Sequence, residues 1–462
     1  MATDLPSRAG LASESWRLIR ADQRAARHAF AERWITGWAA ALLILMLLYV
    51  LIGNKPYVHT VALDPLTGAT EMSPINRYIW LALGALSVPL LWLRRGALWP
   101  AFKRLWPLVV LMIWFALSIQ WALDPGAASR RLLLYGINVV ICVAVAVGLN
   151  SAKRTHTAMA IACAIVVLID LFSWILMPGR SMTELGLAAI HSHKNTLGAV
   201  MLLAGFVCGT YAWGRTDLRE RIVWWGLTLA AIALLAASRS KTSLGIFLAV
   251  AAFTPMLLWF LRQRPIVITS LTAAGGLVAM AAVFLYLAAS YTLGLDPVDP
   301  FRGVTFTQRT DVWKFVIDQI EQRPVLGVGF GSFWDVNPQI QPSLQTDFWF
   351  ARPDAFTNEA HNGYLDIAVT TGLVGLAGAL FLLARWMLRG VLMLREAVLR
   401  AAPTPGGKAM LAAMTLTGVF PLLFFGHNWM ESSYFTANAI FGTVILVFGT
   451  DIDLLSAQRR IA

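Results

Sequence analysis

Apolar runs of about 16 to 25 residues alternate with short polar breaks along most of the chain, and each is long enough to cross a hydrocarbon core of roughly 30 Å as a helix. They fall at 34–52, 78–93, 106–123, 132–149, 157–177, 196–213, 222–237, 242–261, 266–290, 363–383, 409–425 and 437–448. The pattern predicts an all-α polytopic membrane protein with about twelve transmembrane helices, the last two short. One stretch breaks the rhythm: about seventy residues, 291–360, rich in Gly, Pro, aromatic and charged side chains. A connection that long without a function is unusual. Four regions follow: a polar leader over 1–33, nine helices over 34–290, the long loop over 291–360, and three helices with a tail over 361–462.

Composition agrees, with 58% hydrophobic residues, 13% charged and a mean hydropathy of +0.65, against about a quarter charged in soluble domains. Charge placement then orients the helices. Arg17, Arg20, Arg24, Arg27, Arg94, Arg95, Lys103, Arg104, Arg215, Arg219, Arg221, Arg262, Arg264, Arg385 and Arg389 fall in alternate connections, which the positive-inside rule puts in the cytoplasm. Both termini are therefore expected inside and the long loop outside. The net charge of +12 is a matter of topology and an anionic leaflet; no basic motif points to nucleic acid. Roughly thirty polar residues precede the first apolar run, more than the lead of a cleaved signal peptide, so that run is expected to be a signal anchor. Trp16, Ile19 and Phe30 among the leader arginines allow an amphipathic helix on the inner surface or a disordered tail. Cys142, Cys163 and Cys208 sit inside predicted spans with no disulfide or zinc spacing.

The outer connections carry the chemistry. Within the long loop, Trp313, Val316, Ile317 and Ile320 follow an i, i+3, i+4, i+7 rule after caps at Thr307 or Thr310, and Pro324 with Gly327 ends the helix they predict. Arg309 begins that helix, where a cation opposes the macrodipole. It is either an ordinary arginine paired to Asp311 or Glu359, or part of a phosphate site with the helix amides. Gly327-Val328-Gly329-Phe330-Gly331 lacks the strand and helix of a nucleotide loop and reads as a packing turn. Trp334, Phe348, Trp349 and Phe350 form either an interfacial aromatic belt or a sugar-stacking surface. Ser238-Arg239-Ser240-Lys241-Thr242-Ser243 joins two spans so tightly that Arg239 and Lys241 must sit at the bilayer boundary, snorkelling or holding an anion.

Four further features have bland and sharp readings. His191-Ser192-His193-Lys194-Asn195 opens the sixth span; it lacks partner ligands for a metal, so capping by Asn195 and headgroup contact by Lys194 compete with a share in an anion pocket. Asp170 in mid-span bonds a neighbouring helix or carries a function. His427 and Glu431 decorate the last outer connection. His361 enters an apolar helix directly after the long loop, and a titratable group at that boundary suits acid–base chemistry.

The run from His361 and Asn362 through nine residues to Gly372-x-x-Gly375 resembles the motif of the O-antigen ligase and polymerase superfamily. The resemblance extends over about 190–380, through His193-Lys194-Asn195, Ser238-Arg239-Ser240-Lys241, Arg309-Thr310-Asp311-Val312-Trp313 and Pro324 to Gly331, in a form most similar to the exopolysaccharide polymerase branch. It implies transfer of glycan from an undecaprenyl-diphosphate carrier to an acceptor sugar hydroxyl at the periplasmic face of the bacterial inner membrane, with neither metal nor nucleotide cofactor. His361 is then expected to be a base of near-neutral pKa. Arg309 and Arg239 are expected to hold the diphosphate, with Lys241, Lys194, Asn362 and Trp313 binding substrate. The polymerase would work with other polysaccharide assembly and export proteins. A ligase capping lipid A core shares this chemistry, whereas a transporter or flippase would often show two related halves, and none is visible.

Overall fold

The computed structural model describes residues 8–59, 74–292, 309–352, 357–436 and 439–458. Its elements are α1 (Arg8–Ile52), α2 (Pro74–Leu93), α3 (Arg95–Arg104), α4 (Trp106–Ser118), α5 (Pro125–Leu149), α6 (Ala152–Leu176), the short α7 (Pro178–Ser181), α8 (Lys194–Gly214), α9 (Leu218–Ala237), α10 (Lys241–Leu261), α11 (Pro265–Thr292), α12 (Arg309–Gln322), α13 (Gly363–Arg400), α14 (Pro405–His427) and α15 (Ile440–Gln458). A two-residue antiparallel pair, Met182–Thr183 with Gly186–Leu187, is the sheet among the described residues. Each predicted apolar run has a helix over most of its described residues, so the all-α polytopic reading holds.

The count of spans is lower than twelve. Among the described residues ten helices are long and apolar enough to cross a membrane, or up to eleven if α3 and the segment Trp106–Trp121, bent by 78° against each other, make one span. The apolar run at 106–123 yields a helix of only 13 residues, followed by a 3-10 turn at Ile119–Trp121. At 1.5 Å per residue it reaches about 20 Å, too short to cross alone. The first span is one helix with the leader from Arg8 onward; Phe30 is exposed, and the side chains of Trp16 and Ile19 lie outside the described ones.

α8 is the hub of the bundle, most of it buried against α6, α9, α10 and α14. At the inner end, Asp453 of α15 accepts from Arg385 Nε at 3.0 Å, Arg389 Nη1 at 2.6 Å and Trp386 Nε1 at 3.1 Å, which closes a buried charge with three donors.

The end of the bundle that carries His361 is capped by the described part of the long loop, which builds its own small core. Val312, Phe315 and Val316 of α12 pack with Val328, Phe333, Trp334 and Phe350. The buried stripe is therefore displaced from the expected one, since Ile317 is 44% exposed. Two of the four loop aromatics, Phe350 and Trp334, are buried in this core, whereas Phe348, 43% exposed, stacks on Phe350 at 5.1 Å. Thr307 lies outside the described residues.

The glycine turn is a packing device, as its context implied. Gly327 and Gly372 both have left-handed φ, at +66° and +69°, and meet back to back: a Cβ on Gly372 would lie 2.0 Å from Val325 O, and one on Gly327 2.6 Å from Thr370 O. Gly372 kinks α13, and the loop bonds across the break, Leu373 N donating to Pro324 O and Val328 N to Val369 O. The Gly-x-x-Gly of the motif is thus the seat on which the outer loop rests.

Candidate functional site

α13 starts at Gly363 because Asn362 caps it, its side-chain oxygen accepting from Tyr364 N at 3.1 Å and Leu365 N at 3.3 Å. A cap residue needs extended backbone, and the chain arriving from the loop turns into it at His361, whose φ is +50°. A left-handed conformation in a histidine costs on the order of 1–3 kcal/mol and persists only where neighbours impose it. They do. Ala360 N donates to both oxygens of Asp366 at 3.2 Å, Ala360 O accepts from Trp313 Nε1 at 2.9 Å, and Asn362 N donates to Ser432 Oγ at 3.1 Å.

The segment after α14 closes in from the other side. Asn428 O accepts from Gly363 N at 2.9 Å, an approach so close that a Cβ on Gly363 would lie 2.2 Å from Asn428 Oδ1. This brings Glu431 to the site, while Ser432 donates to Asp366, which also accepts from Trp334 Nε1 at 2.8 Å. Asp366 therefore ties the loop core, the residue before His361 and the Ser432 segment together.

The His361 ring faces two carboxylates: Nδ1 is 2.7 Å from Glu359 Oε1 and 3.4 Å from Glu431 Oε2. Arg309 completes the group, with Nη2 at 3.1 Å from Glu431 Oε1 and Nη1 donating to Met430 O. Burial alone would lower the His361 pKa, but the hydrogen bonds and charges of Glu359 and Glu431 outweigh it and raise it to about 9. This corrects the expected near-neutral base: with two carboxylates on the ring, the imidazolium is the resting form at pH 7. Burial pushes Glu431 up, and His361, Arg309 and His427 more than reverse that, holding it below its ordinary value. Glu359, His361 and Glu431 offer three ligand atoms within 4.8 Å of one another, a spacing a divalent cation can bridge, while Arg309 already supplies a positive charge to Glu431.

Of the residues singled out from sequence, the structure joins His361, Arg309, Asn362 and Trp313. Trp313 serves the backbone before His361, not an open surface, and Arg309 pairs with Glu431 instead of Asp311 or Glu359. Arg239 and Lys241 are exposed and Lys194 half-buried, with no side-chain hydrogen bond or ion pair among the described residues; Arg239 has a left-handed φ of +56°. His193, not Asn195, caps α8, its ring accepting from Asn195 N at 3.2 Å. Its pKa is lowered by burial and by Lys194, with Glu431 opposing and His361 adding to the effect, so it lies within electrostatic reach of the site. Asp170 bonds a neighbour, as its bland reading held: Oδ2 is 2.9 Å from His191 Nε2 in full burial. His427 is buried against Phe441, the rings 4.0 Å apart.

Sequence reasoning missed Glu431 and Glu359 as partners of His361. Both were visible as acids on outer connections, yet Glu431 is 70 positions away, and no spacing rule joins them.

Residues 226–380 match the O-antigen ligase family model, a stretch holding Arg239, Lys241, Arg309, Glu359, His361 and the glycine kink but not Glu431. The chain is similar to the exopolysaccharide production protein ExoQ of Rhizobium meliloti (strain 1021), with 24% identity over 278 residues, 57% of this chain and 60% of that relative. The match over residues 226–380 and the likeness to this relative support a relation of this multi-pass membrane protein to the O-antigen ligase-related superfamily.

Proposed function

We propose that the protein is a glycosyl-transferring enzyme of polysaccharide assembly. It acts at the periplasmic face of the inner membrane and moves a glycan from an undecaprenyl-diphosphate-linked donor to an acceptor sugar hydroxyl. The observation that carries this is the placement of Arg309 beside His361 and its two carboxylates at the outer end of the bundle. The acceptor oxygen forms its bond to the anomeric carbon from the face opposite the diphosphate, the bond to the diphosphate breaks with its electron pair, and the configuration inverts. The hydroxyl proton passes to the His361–Glu359 pair. Arginine holds the departing diphosphate by a two-pronged contact that neither ATP nor a metal need supply. Similarity to a protein named for exopolysaccharide production favours polymerisation of repeat units over capping of lipid A core.

The raised His361 pKa supports a second assignment within the same reaction. A ring that stays protonated would stabilise the leaving diphosphate alongside Arg309, and Glu359 would take the acceptor proton. The test is transfer by purified protein from a synthetic undecaprenyl-diphosphate oligosaccharide, followed against pH. Activity that rises towards pH 9 supports the neutral ring as base; activity that falls through the same range supports the imidazolium. Full transfer by His361→Ala sinks both.

A further inference from the structure

The turn at 324–327, which follows α12, takes no part in the chemistry above, yet its surface is unlike that of a water-exposed turn. Val325 and Leu326 at its tip are 57% and 44% exposed, and with Trp121 they line an open cleft whose charged residue is Arg323. Turns in water favour Gly, Pro, Asn, Asp and Ser. Two large apolar chains side by side at a tip mark a surface that meets something apolar.

The tip cannot turn these chains inwards, because its backbone is clamped from behind. Gly327 rests on Gly372, a Cβ on Gly329 would lie 2.4 Å from Ala122 Cα, Trp121 Nε1 donates to Leu326 O at 3.1 Å, and Leu123 N donates to Val328 O at 3.0 Å. The turn is thus wedged between α13 and the segment that follows α4.

Those two helices fix its depth. Every exposed residue of α13 over 373–392 is apolar, a band of about 28 Å at 1.5 Å per residue, which matches a hydrocarbon core of roughly 30 Å. On α4 the exposed apolar face passes through Ile113 and Leu117, and Gln120 is the first exposed polar residue beyond it. Leu373 N donates to Pro324 O at 2.8 Å, so the turn meets α13 where its apolar band begins. Its own apolar tip continues the lipid-facing surface of Leu117, Leu373 and Val374, which favours lipid over a second copy of the chain as the occupant. Arg323 is exposed and its guanidinium makes no hydrogen bond or ion pair among the described residues. At the edge of an apolar surface, such a side chain lays its stem on acyl chains and its head among phosphates.

We infer that Val325 and Leu326 are seated in the bilayer leaflet on the His361 side, at the edge of its hydrocarbon, with Arg323 against phospholipid phosphates. The inference stands apart from the glycosyl-transfer reading. It gives the loop a second mooring: α12 begins with Arg309 at the site and ends one residue before Arg323, so the helix that carries the site arginine is fixed to the membrane at its far end.

The test uses full-length protein in nanodiscs of phosphatidylethanolamine and phosphatidylglycerol, with a nitroxide attached to Leu326→Cys. Cys142, Cys163 and Cys208 are buried, and the unsubstituted chain taken through the same labelling gives the background. Collisions of the nitroxide with oxygen, which concentrates in hydrocarbon, and with a nickel chelate, which stays in water, report its depth. Leu373→Cys marks lipid, and Asp318→Cys on the exposed face of α12 marks water. The oxygen-to-nickel ratio of Leu326→Cys is expected to match that of Leu373→Cys and to exceed that of Asp318→Cys several-fold. Adding Arg323→Glu, which repels phosphate, is expected to lower it, and an unchanged ratio would overturn the part assigned to Arg323. Val325→Cys, read in the same way, decides the matter if Leu326→Cys does not fold. A ratio like that of Asp318→Cys would put the turn in water, and shielding from both probes would put protein over it, whether a second copy or another segment of this chain; either result overturns the inference.

Discussion

Among the described residues, two histidine–carboxylate pairs have nearly equal length and opposite character. His191 and Asp170 meet at 2.9 Å with side chains 1% and 0% exposed, whereas His361 and Glu359 meet at 2.7 Å with both a third exposed. The first pair joins a helix to the connection before α8 and is closed from solvent. The second has an extra carboxylate, an arginine, a left-handed backbone and a cavity at its edge. Contact distance therefore says little about role; access and the charge around the pair say more.

The largest expected effect separates the two pairs by activity. His361→Ala should lower transfer by about 10² to 10⁴, measured on purified protein with a lipid-linked donor, and any stability it loses should fade as the pH rises through about 9. Asp170→Ala should instead cost roughly 1–3 kcal/mol of stability, because it leaves a buried ring nitrogen without its partner; detergent or heat unfolding reads this. An equal loss of transfer in the two variants would erase the distinction.

Next comes Arg309→Lys, which keeps charge and loses the planar fork that binds diphosphate. A drop of roughly tenfold in kcat/KM is expected, equivalent to one charge-assisted contact of about 1.4 kcal/mol. No change would mean that Arg309 only anchors Glu431.

The pH dependence sharpens the comparison further. The two carboxylates raise His361 from 6.5 to about 9, so if the neutral ring is the base, transfer climbs with pH and levels near 9. Glu359→Gln or Glu431→Gln removes a raising charge and should move that climb to lower pH, by on the order of one unit. A folded pKa above the unfolded one also makes His361 contribute stability that is full below pH 6.5 and lost as the pH rises through about 9. The smallest effect is expected from EDTA: transfer is unaltered if Arg309 alone supplies the countercharge. A loss restored by Mg²⁺ or Mn²⁺ would show that Glu359, His361 and Glu431 hold a metal.

Much of this was legible in the chain. Apolar runs fixed the helices because a bilayer demands internal hydrogen bonding over a known thickness, and Gly372-x-x-Gly375 marked a special join. The failures share a cause. The run at 106–123 gives a straight span by hydropathy, which does not record the 78° bend that joins Trp106–Trp121 to α3, and composition left the loop aromatics between lipid and sugar because it does not say that Phe350 packs against Phe315. Lys194, Arg239 and Lys241 shared the outer end with His361, but periodicity sets only which end of a helix a residue occupies.

By itself the sequence determined a multi-pass helical protein and a histidine at the start of a membrane helix, since local spacing and hydrophobic periodicity carry those facts, and its motifs carried a resemblance to the O-antigen ligase superfamily. Only the tertiary structure decided that Glu431 meets that histidine and brings Arg309 with it, that the two carboxylates raise its pKa, and that a cavity with Glu359 in its lining lies beside it. The Arg309–Glu431 contact joins positions 122 apart, and the electrostatics of a site is the sum of whatever folding brings within a few ångströms.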